Sequence, residues 1–394
     1  NKHIDDPSRI RNKLSFDMME KIPNITSLRT QFVHLYVKDL TDGNSNKYED
    51  YGLYTQIEQP NKKFLRTHLL DPNAYLYKVT FFEFGRYKDQ IRTKSDPKYD
   101  KKKFETILEI KGKDDHEKLI SMLDDVNNYK ILIEEVIEKH FDLDNLLTWT
   151  AINILMDNMD TDANNFYLYS PLNSDKWYIL PWDYDGGWEL QRKLNSIRSY
   201  QAGISNFWGN ILLNRYFRSE ENVQKLTDKI EELSQKINAD TVASQIDQYH
   251  DVVKPFILKN PDKKYLSIES SKYESELKQI INTPKRAKER YYEDLQKPKP
   301  FYMADVEQTD SKLLFSWDVS FDLQADDLYY TVTVAKDPYM KKIIASKKDI
   351  RENKFTMKPP ASGQYFWRVT VRDGKGHVQT SFDMYSDEDG NEFN

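Results

Sequence analysis

The chain has 394 residues, which is enough for two or three domains with hydrophobic cores of their own. A formal net charge of −6 and the lack of a dense basic run give no reason to expect nucleic-acid binding. The absence of cysteine excludes disulfides, thiolate zinc sites and cysteine nucleophiles, and no apolar stretch approaches the roughly 20 residues that span a bilayer. The chain opens on Asn1, Lys2 and His3 without an initiator methionine or a signal peptide, so we expect a processed or trimmed piece.

The N-terminal third predicts one helix followed by strands. Residues 7–22 carry apolar side chains at the spacing of an amphipathic helix, with Asp6 as its N-cap. Alternating residues 31–38 and 51–58 predict two strands of a hairpin around the polar loop 39–50. An apolar and aromatic run at residues 74–84, which contains Lys78, predicts a further strand.

Helical periodicity dominates the middle of the chain. Apolar positions at helical spacing predict helices over residues 116–139, from about 142 to 156, and over 220–237, 240–254 and 270–295. The second of these leads directly into an acidic loop. A helix that ends there would hold the start of that loop in place.

The C-terminal part changes character after residues 297–300, a Lys-Pro-Lys-Pro segment that we interpret as a linker. Alternating runs at residues 313–317, 329–335 and 365–371 predict an all-β immunoglobulin-like sandwich over 301–394. Trp317 and Tyr365, with the runs around them, resemble a fibronectin type III domain, in which Tyr365 would be the corner tyrosine. The 26 tyrosines and 19 phenylalanines of the chain leave a carbohydrate-binding face on this domain open, although core packing explains them more simply.

Residues 157–188 concentrate the acidic side chains. Two short apolar runs, 165–169 and 176–180, predict the strands of a hairpin joined by the turn 170–175. A hairpin returns its ends to one place, so the acidic groups before and after it should meet. Converging carboxylates repel one another unless a cation or a proton lies between them. The aspartates at the two ends are Asp157, Asp160, Asp162, Asp183 and Asp185.

Two other interpretations explain these aspartates less well. Asp160, Asp162 and Asn164 begin like an EF-hand calcium loop, but Asn165 stands where the turn glycine belongs and Pro171 where the bidentate glutamate belongs. Turn and cap chemistry accounts for Asp175 and for some of the others. It does not account for two carboxylates, Asp183 and Asp185, crowded into one turn.

A phosphoryl-transfer site explains the order of the acidic residues. Such a site needs a carboxylate that orients or deprotonates the attacking hydroxyl, and an amide oxygen and a second carboxylate that hold divalent metal against the phosphates. Protein kinases place these parts in the order Asp-x-x-x-x-Asn, strand hairpin, Asp. Asp160 and Asn165 have this spacing, and Asp183 follows 23 residues after Asp160.

Several motifs together resemble the CotH family of spore-coat-type atypical protein kinases, over roughly residues 5–295. The motifs are Arg11-Asn-Lys-Leu-Ser-Phe16, Tyr51-Gly-Leu-Tyr-Thr-Gln-Ile-Glu-Gln59, Leu76-Tyr-Lys78, Asn158-Met-Asp160, Asn164-Asn-Phe-Tyr-Leu-Tyr169 and Ile179-Leu-Pro-Trp-Asp-Tyr-Asp185. The resemblance implies transfer of the γ-phosphate of ATP to Ser or Thr of a protein, with Mg²⁺, or alternatively Mn²⁺, as the ion.

By similarity, Asp160 would be the catalytic base and Asp183 the principal metal ligand. Asn165 would be a second ligand and Asp185 an additional metal-binding or supporting residue. The family's glycine-rich segment and basic strand precede the Arg11 helix and are missing here, so we expect the N-terminal part of the kinase-like domain to be incomplete.

The nucleotide side of the predicted site rests on three residues. Lys78 would contact phosphate, although an exposed or structural lysine explains it better. Glu58 and Gln59 would lie near the adenine edge as a hinge-like segment.

The sequence thus predicts an α+β chain with a kinase-like catalytic domain at 1–296, a linker at 297–300 and the sandwich at 301–394. The expected function is a protein Ser/Thr kinase that acts on secreted, cell-surface or spore-coat proteins, and the chain itself would be secreted or part of the surface or spore coat. A non-catalytic coat or adhesion scaffold and a protein nucleotidyltransferase remain alternatives. The expected partners are the protein substrate and an envelope, coat or carbohydrate ligand of the sandwich.

Overall fold

The computed structural model describes residues 1–41, 47–194, 197–383, 385–386 and 392–393. Residues 42–46 of the predicted polar loop lie outside this described part. The fold is mixed α and β with several antiparallel sheets. It divides into two compact units, one formed by Asn1–Leu194 with Gly209–Lys288 and the other by Asn195–Trp208 with Glu289–Asn394.

The chain has these helices in order: α1 Arg11–Met19, α2 Lys62–Thr67, α3 Lys101–Glu105, α4 Glu117–Val126, α5 Ile133–His140, α6 Leu143–Leu155, α7 Leu190–Leu194, α8 Ile211–Tyr216, α9 Glu220–Ser234, α10 Ala239–Ile257, α11 Tyr273–Ile281 and α12 Thr283–Leu295. None of the helices in the described part is both long and apolar enough to cross a membrane. The strands of the first unit are β1 Thr30–Val37, β2 Glu49–Ile57, β3 Tyr75–Val79, β4 Leu108–Ile110, β5 Phe166–Ser170 and β6 Tyr178–Pro181.

A four-stranded antiparallel sheet in the order β4-β3-β5-β6 carries the candidate site of the first unit. All five residues of β5 are buried, because its aromatic and apolar side chains are covered on both faces. The pairing of Phe166 with Pro181 confirms the predicted hairpin, and it brings the residues before β5 next to those after β6. The predicted hairpin of β1 and β2 is also confirmed, with Thr30 opposite Ile57.

The first helix begins later than the sequence indicates. Asp6 accepts hydrogen bonds from the backbone N–H of Ser8 at 2.9 Å and of Arg11 at 3.0 Å. Arg9 between them has φ +61°, which an α-helix excludes. The prediction of a helix over 7–22 was therefore wrong at its start, because Asp6 caps a turn that precedes the helix.

Two predicted long helices are each divided by an asparagine. Asn127 ends α4 and donates from its side chain to the carbonyls of Leu123 at 2.8 Å and Phe84 at 2.9 Å. Asn282 ends α11 and donates to the carbonyl of Lys278 at 2.8 Å. The carbonyls of a last helical turn lack backbone partners within the helix. An asparagine side chain that donates to them stabilises the helix end.

Helix α6 holds the edge of the sheet. Asp142 caps its start by accepting from the backbone N–H of Asn145 at 2.9 Å, which confirms the predicted start near residue 142. The Asn145 side chain accepts from the N–H of Ile179 in β6 at 2.7 Å and donates to its carbonyl at 3.3 Å. The helix that leads into the first acidic loop is thereby joined to the strand that leads into the second.

The described residues of the second unit form three further sheets. Its strands are β7 Glu307–Gln308, β8 Leu313–Ser316, β9 Tyr329–Ala335, β10 Ile343–Ile350, β11 Lys354–Met357, β12 Phe366–Arg372, β13 Val378–Thr380, β14 Tyr385–Ser386 and β15 Glu392–Phe393. The larger sheets have the orders β10-β9-β12-β13 and β11-β8-β7, and β14 pairs with β15. Phe315 from the three-stranded sheet and Val332 and Val369 from the four-stranded sheet belong to one buried core.

Candidate active site

The first acidic loop follows the end of α6. Asn165 has φ +58°, a conformation that asparagine tolerates better than most residues. From this position its side-chain amide donates to the Asp160 carboxylate at 2.7 Å and to the Asp160 carbonyl at 3.0 Å. Asn164 donates to the other carboxylate oxygen of Asp160 at 3.3 Å. Two asparagine side chains therefore fix the orientation of the Asp160 carboxylate.

The second acidic loop begins where β6 ends. Asp183 also has a left-handed backbone, with φ +51°. Its Oδ1 accepts from the side-chain amide of Asn12 at 3.4 Å, and the Asn12 Oδ1 accepts from the backbone N–H of Tyr184 at 3.2 Å. The Asp185 Oδ2 lies 3.2 Å from Nδ1 of His3, whose ring is buried. Residues of the N-terminal segment and α1 thus position both aspartates of the turn.

Contacts outside the hairpin also join the two loops. Asp157 receives two hydrogen bonds from the Arg192 guanidinium, at 2.6 and 3.0 Å, across a buried ion pair. The backbone N–H of Trp188 donates to the carbonyl of Met156 at 2.5 Å. Each loop therefore restrains the other directly.

Burial and repulsion between neighbouring carboxylates dominate the electrostatics of Asp160 and Asp183. Burial and the nearby Asp185 charge raise the pKa of Asp183 to about 6. Burial also raises the pKa of Asp160, an effect to which Asp185 adds and which the hydrogen bonds from Asn164 and Asn165 oppose. Both shifts disfavour the charged carboxylate, and a bound cation would remove this penalty.

Asp162 lies beside this group and is more deeply desolvated. Burial is the main cause that raises its pKa to about 7, and the charges of Asp160 and Glu83 add to the shift. The carbonyl of Asp162 accepts from the side chain of Asn210 at 3.2 Å. The structure thus places a further acidic group next to the predicted base.

The donor set fits a magnesium ion. Asp183 and Asp185 supply two adjacent carboxylates, and Asn165 supplies an amide oxygen that its hydrogen bonds to Asp160 do not use. The Oδ1 of Asn164 is buried and accepts no hydrogen bond from any described residue. Mg²⁺ commonly binds through one or two carboxylates together with substrate phosphates, so this small set of oxygens suits it.

Lys78 lies on β3, in the middle of the sheet. Its Nζ is 3.6 Å from a carboxylate oxygen of Glu109 on the neighbouring strand and 5.7 Å from the ring centre of Trp182. Since Trp182 immediately precedes Asp183, the structure places Lys78 on the face of the sheet that leads to the acidic turn. A half-buried lysine held by a single weak ion pair can move toward a phosphate group at low cost.

The side-chain contacts of Glu58 are with Arg29 and His68 and not with the acidic loops. Glu58 accepts hydrogen bonds from Arg29 and from His68, the latter at 2.8 Å. Although partial burial opposes the effect, these bonds lower the pKa of Glu58 to about 2. Gln59 is exposed. The contacts of Glu58 are those of a structural ion pair at the end of β2.

Sequence reasoning missed the residues that support the site. Asn12 and His3 contact the acidic turn from more than 170 positions away in the chain. The signal for Asn12 was present, since it belongs to the motif that begins with Arg11. Arg192 had no such signal, because a lone arginine in a polar stretch is most often a surface residue.

Comparison with known proteins identifies the family. Residues 1–289 match the family described as CotH kinase protein, which covers more than half of the chain. The chain belongs to the CotH family. The Inner spore coat protein H of Bacillus subtilis (strain 168) is similar, with 23% identity over 270 residues, which cover 67% of this chain and 69% of that protein. The family predicted from the motifs is thereby confirmed, and the matched CotH region contains both acidic loops and Asn12.

Proposed function

We propose that this CotH-family chain is an ATP-dependent protein kinase that phosphorylates Ser or Thr residues of secreted, cell-surface or spore-coat proteins. The observation that carries the proposal is the Asp160 carboxylate, held by Asn164 and Asn165 and set beside the Asp183–Asp185 turn. The family membership supports it, and the similarity to a spore coat protein supports a coat or surface location.

In this proposal Asp160 accepts the proton of the attacking hydroxyl. Its raised pKa makes it a stronger base than an ordinary carboxylate, which favours proton transfer near neutral pH. The hydrogen bonds from the two asparagines, one to each oxygen, keep the Asp160 carboxylate from rotating away. Asn12 serves as a positioning residue, because it holds Asp183 and the backbone of Tyr184.

The metal half of the site would consist of Asp183, Asp185 and Asn165, with Mg²⁺ or Mn²⁺ as the ion. The ion, when bound, would offset the negative charge of the phosphates. Lys78 would contact a phosphate oxygen in exchange for Glu109. Glu58 and Gln59 remain candidates for the adenine edge, although the Arg29 and His68 bonds of Glu58 favour a structural role for it.

For the rest of the chain we propose a catalytic domain at 1–296, a linker at 297–300 and a fibronectin type III-like domain at 301–394. Two antiparallel sheets around one core support the C-terminal assignment. The Tyr365 hydroxyl donates to the Ala361 carbonyl at 2.8 Å, the backward bond of a corner tyrosine. Such a domain could bind a coat, envelope or carbohydrate partner.

The test is transfer of labelled γ-phosphate from Mg²⁺-ATP to Ser/Thr-containing coat or surface proteins by the full chain. We expect Asp183→Ala to lower incorporation at least 100-fold, because it removes the principal metal ligand. Asp175→Ala is the matched control, since Asp175 is exposed in the turn between β5 and β6. It should retain the activity of the wild type.

The outcomes separate the alternatives. Equal incorporation by the wild type and Asp183→Ala would contradict the kinase assignment. Intact mass distinguishes a phosphate from an AMP adduct on the product, and AMP would identify a nucleotidyltransferase. No transfer, together with no thermal stabilisation by millimolar Mg²⁺-ATP, would favour the scaffold, because a ligand that binds the native state must stabilise it.

A further inference from the structure

Three aspartates of the second unit converge at one point. Asp322 and Asp326 lie in the turn before β9, and Asp373 follows β12. Each offers one carboxylate oxygen, and these three oxygens lie within 4.8 Å of one another. This is close enough for one ion to contact all three. Asp373 is fully buried, and its Oδ1 accepts from the backbone N–H groups of Lys375 at 2.8 Å and His377 at 2.9 Å.

One carboxylate oxygen of Asp322 is buried without a hydrogen-bond partner among the described residues. Only 8% of the residue is exposed. Its Oδ1 accepts from the backbone N–H groups of Gln324 at 2.9 Å and Asp326 at 3.0 Å. Its Oδ2 is buried and accepts no hydrogen bond from the part of the chain that the structure describes. A buried carboxylate oxygen without a donor costs free energy, so a ligand that supplies positive charge at this point would be favoured.

The basic side chains near the cluster form their closest contacts with carboxylates other than that of Asp322. The Lys375 Nζ lies 2.8 Å from the Asp326 Oδ2, but 55% of the lysine side chain is exposed. The His377 Nδ1 lies 2.6 Å from the Asp373 Oδ2. The buried Lys299 forms its ion pair with Asp294, at 3.6 Å. The charge of Asp322 also acts on the buried Lys299. Of these cations, Lys375 has a largely exposed side chain, so a divalent ion can displace it at low cost.

We propose that Asp322, Asp326 and Asp373 form a calcium-binding site in the C-terminal unit. Three carboxylates without a sulfur or imidazole ligand make a hard, oxygen-only donor set, which suits Ca²⁺. The donors come from two separate turns, and Ca²⁺ tolerates such irregular geometry better than Mg²⁺ does. The bound ion takes the place of Lys375 and joins the turn before β9 to the turn after β12.

Calorimetric titration of the metal-free full chain with CaCl₂ tests the site. We expect a Kd of about 10⁻⁴–10⁻³ M, the range of extracellular calcium modules. Asp326→Asn should weaken this binding about tenfold, because it removes one charged ligand. The matched control is Asp327→Asn, the adjacent aspartate, which is 67% exposed and pairs with Arg351 instead. Any calcium that the first unit binds contributes equally to the titrations of the wild type and of both variants, so it does not affect their comparison.

Lys375→Met provides an independent test that does not alter a ligand. If Lys375 competes with the ion, its removal should tighten calcium binding several-fold. Identical calcium titrations of Asp326→Asn and Asp327→Asn would overturn the site, and an unchanged affinity in Lys375→Met would overturn the displacement of the lysine. Tighter binding of MgCl₂ than of CaCl₂ at these aspartates would overturn the choice of ion.

Discussion

His116 should make the first unit sensitive to mild acid. The residue is fully buried at the start of α4, where its Nδ1 lies 2.9 Å from the Tyr77 hydroxyl and its ring stacks on Phe104 at 4.1 Å between centres. Burial lowers the pKa of His116 from 6.5 to about 4, despite the opposing charges of Asp114 and Asp115. The folded protein therefore keeps this imidazole neutral at a pH where the unfolded chain protonates it.

The sign and size of the effect follow from this difference. Between pH 6.5 and about 4 the unfolded state binds the extra proton, so the free energy of unfolding falls as the pH falls. At 1.36 kcal/mol per pKa unit, the full effect is about 3 kcal/mol. About 2.5 kcal/mol of it should be lost between roughly pH 7 and pH 4.5. That is a substantial part of the stability of an ordinary domain.

Urea unfolding of the wild type and of His116→Asn at both pH values measures this contribution. Asparagine tolerates the left-handed backbone of His116, which has φ +66°, but it cannot titrate. The variant should be less stable at neutral pH and should lose about 2.5 kcal/mol less than the wild type on acidification. His34→Asn, at a partly exposed histidine of the same unit, is the matched control. An equal acid loss in the wild type and His116→Asn would refute the reasoning.

Two further predictions concern the N-terminal segment and helix α1. Arg11→Met should lower the free energy of unfolding by about 3–5 kcal/mol, because it leaves the buried carboxylates of Asp6 and Glu276 without their shared arginine. Chemical unfolding measures this change. A loss below about 1 kcal/mol would contradict the prediction. Asn12→Ala should lower phosphoryl transfer about 10- to 100-fold and weaken Mg²⁺ binding, because Asp183 loses its positioning contact. Transfer and Mg²⁺ titrations check the second prediction, and a fall in transfer with unchanged Mg²⁺ affinity would exclude the positioning role.

The sequence was most informative where local chemistry decides the structure. Strict alternation predicted the strand Tyr329–Ala335 with the bounds that the structure has. The two apolar runs around the turn 170–175 predicted the hairpin, and the hairpin predicted that the acidic residues at its ends would meet. Apolar spacing predicted that α6 starts near residue 142, and the Asp142 cap found there acts within one turn of the chain.

The sequence was least informative where distant residues decide the structure. Arg9 has a left-handed backbone within the turn whose N–H groups donate to the Asp6 carboxylate. The helical spacing of apolar residues does not show this turn. Asn12 and His3 reach the acidic turn only through the tertiary fold. Their partners could not be inferred from a single sequence, since many polar residues compete for each carboxylate. The roles of Asp160, Asn165, Asp183 and Asp185 in the reaction remain predictions.

The contact between Asn145 and Ile179 also affects how this molecule can assemble. Strand β6 lies at the edge of its sheet, and a free edge offers backbone groups to which a strand of another molecule can pair. The Asn145 amide already occupies the N–H and the carbonyl of Ile179, and Pro181 brings no N–H of its own to this strand. Strand-to-strand polymerisation through β6 is therefore blocked at Ile179. If the protein forms part of a layered coat, its neighbours must attach through other surfaces.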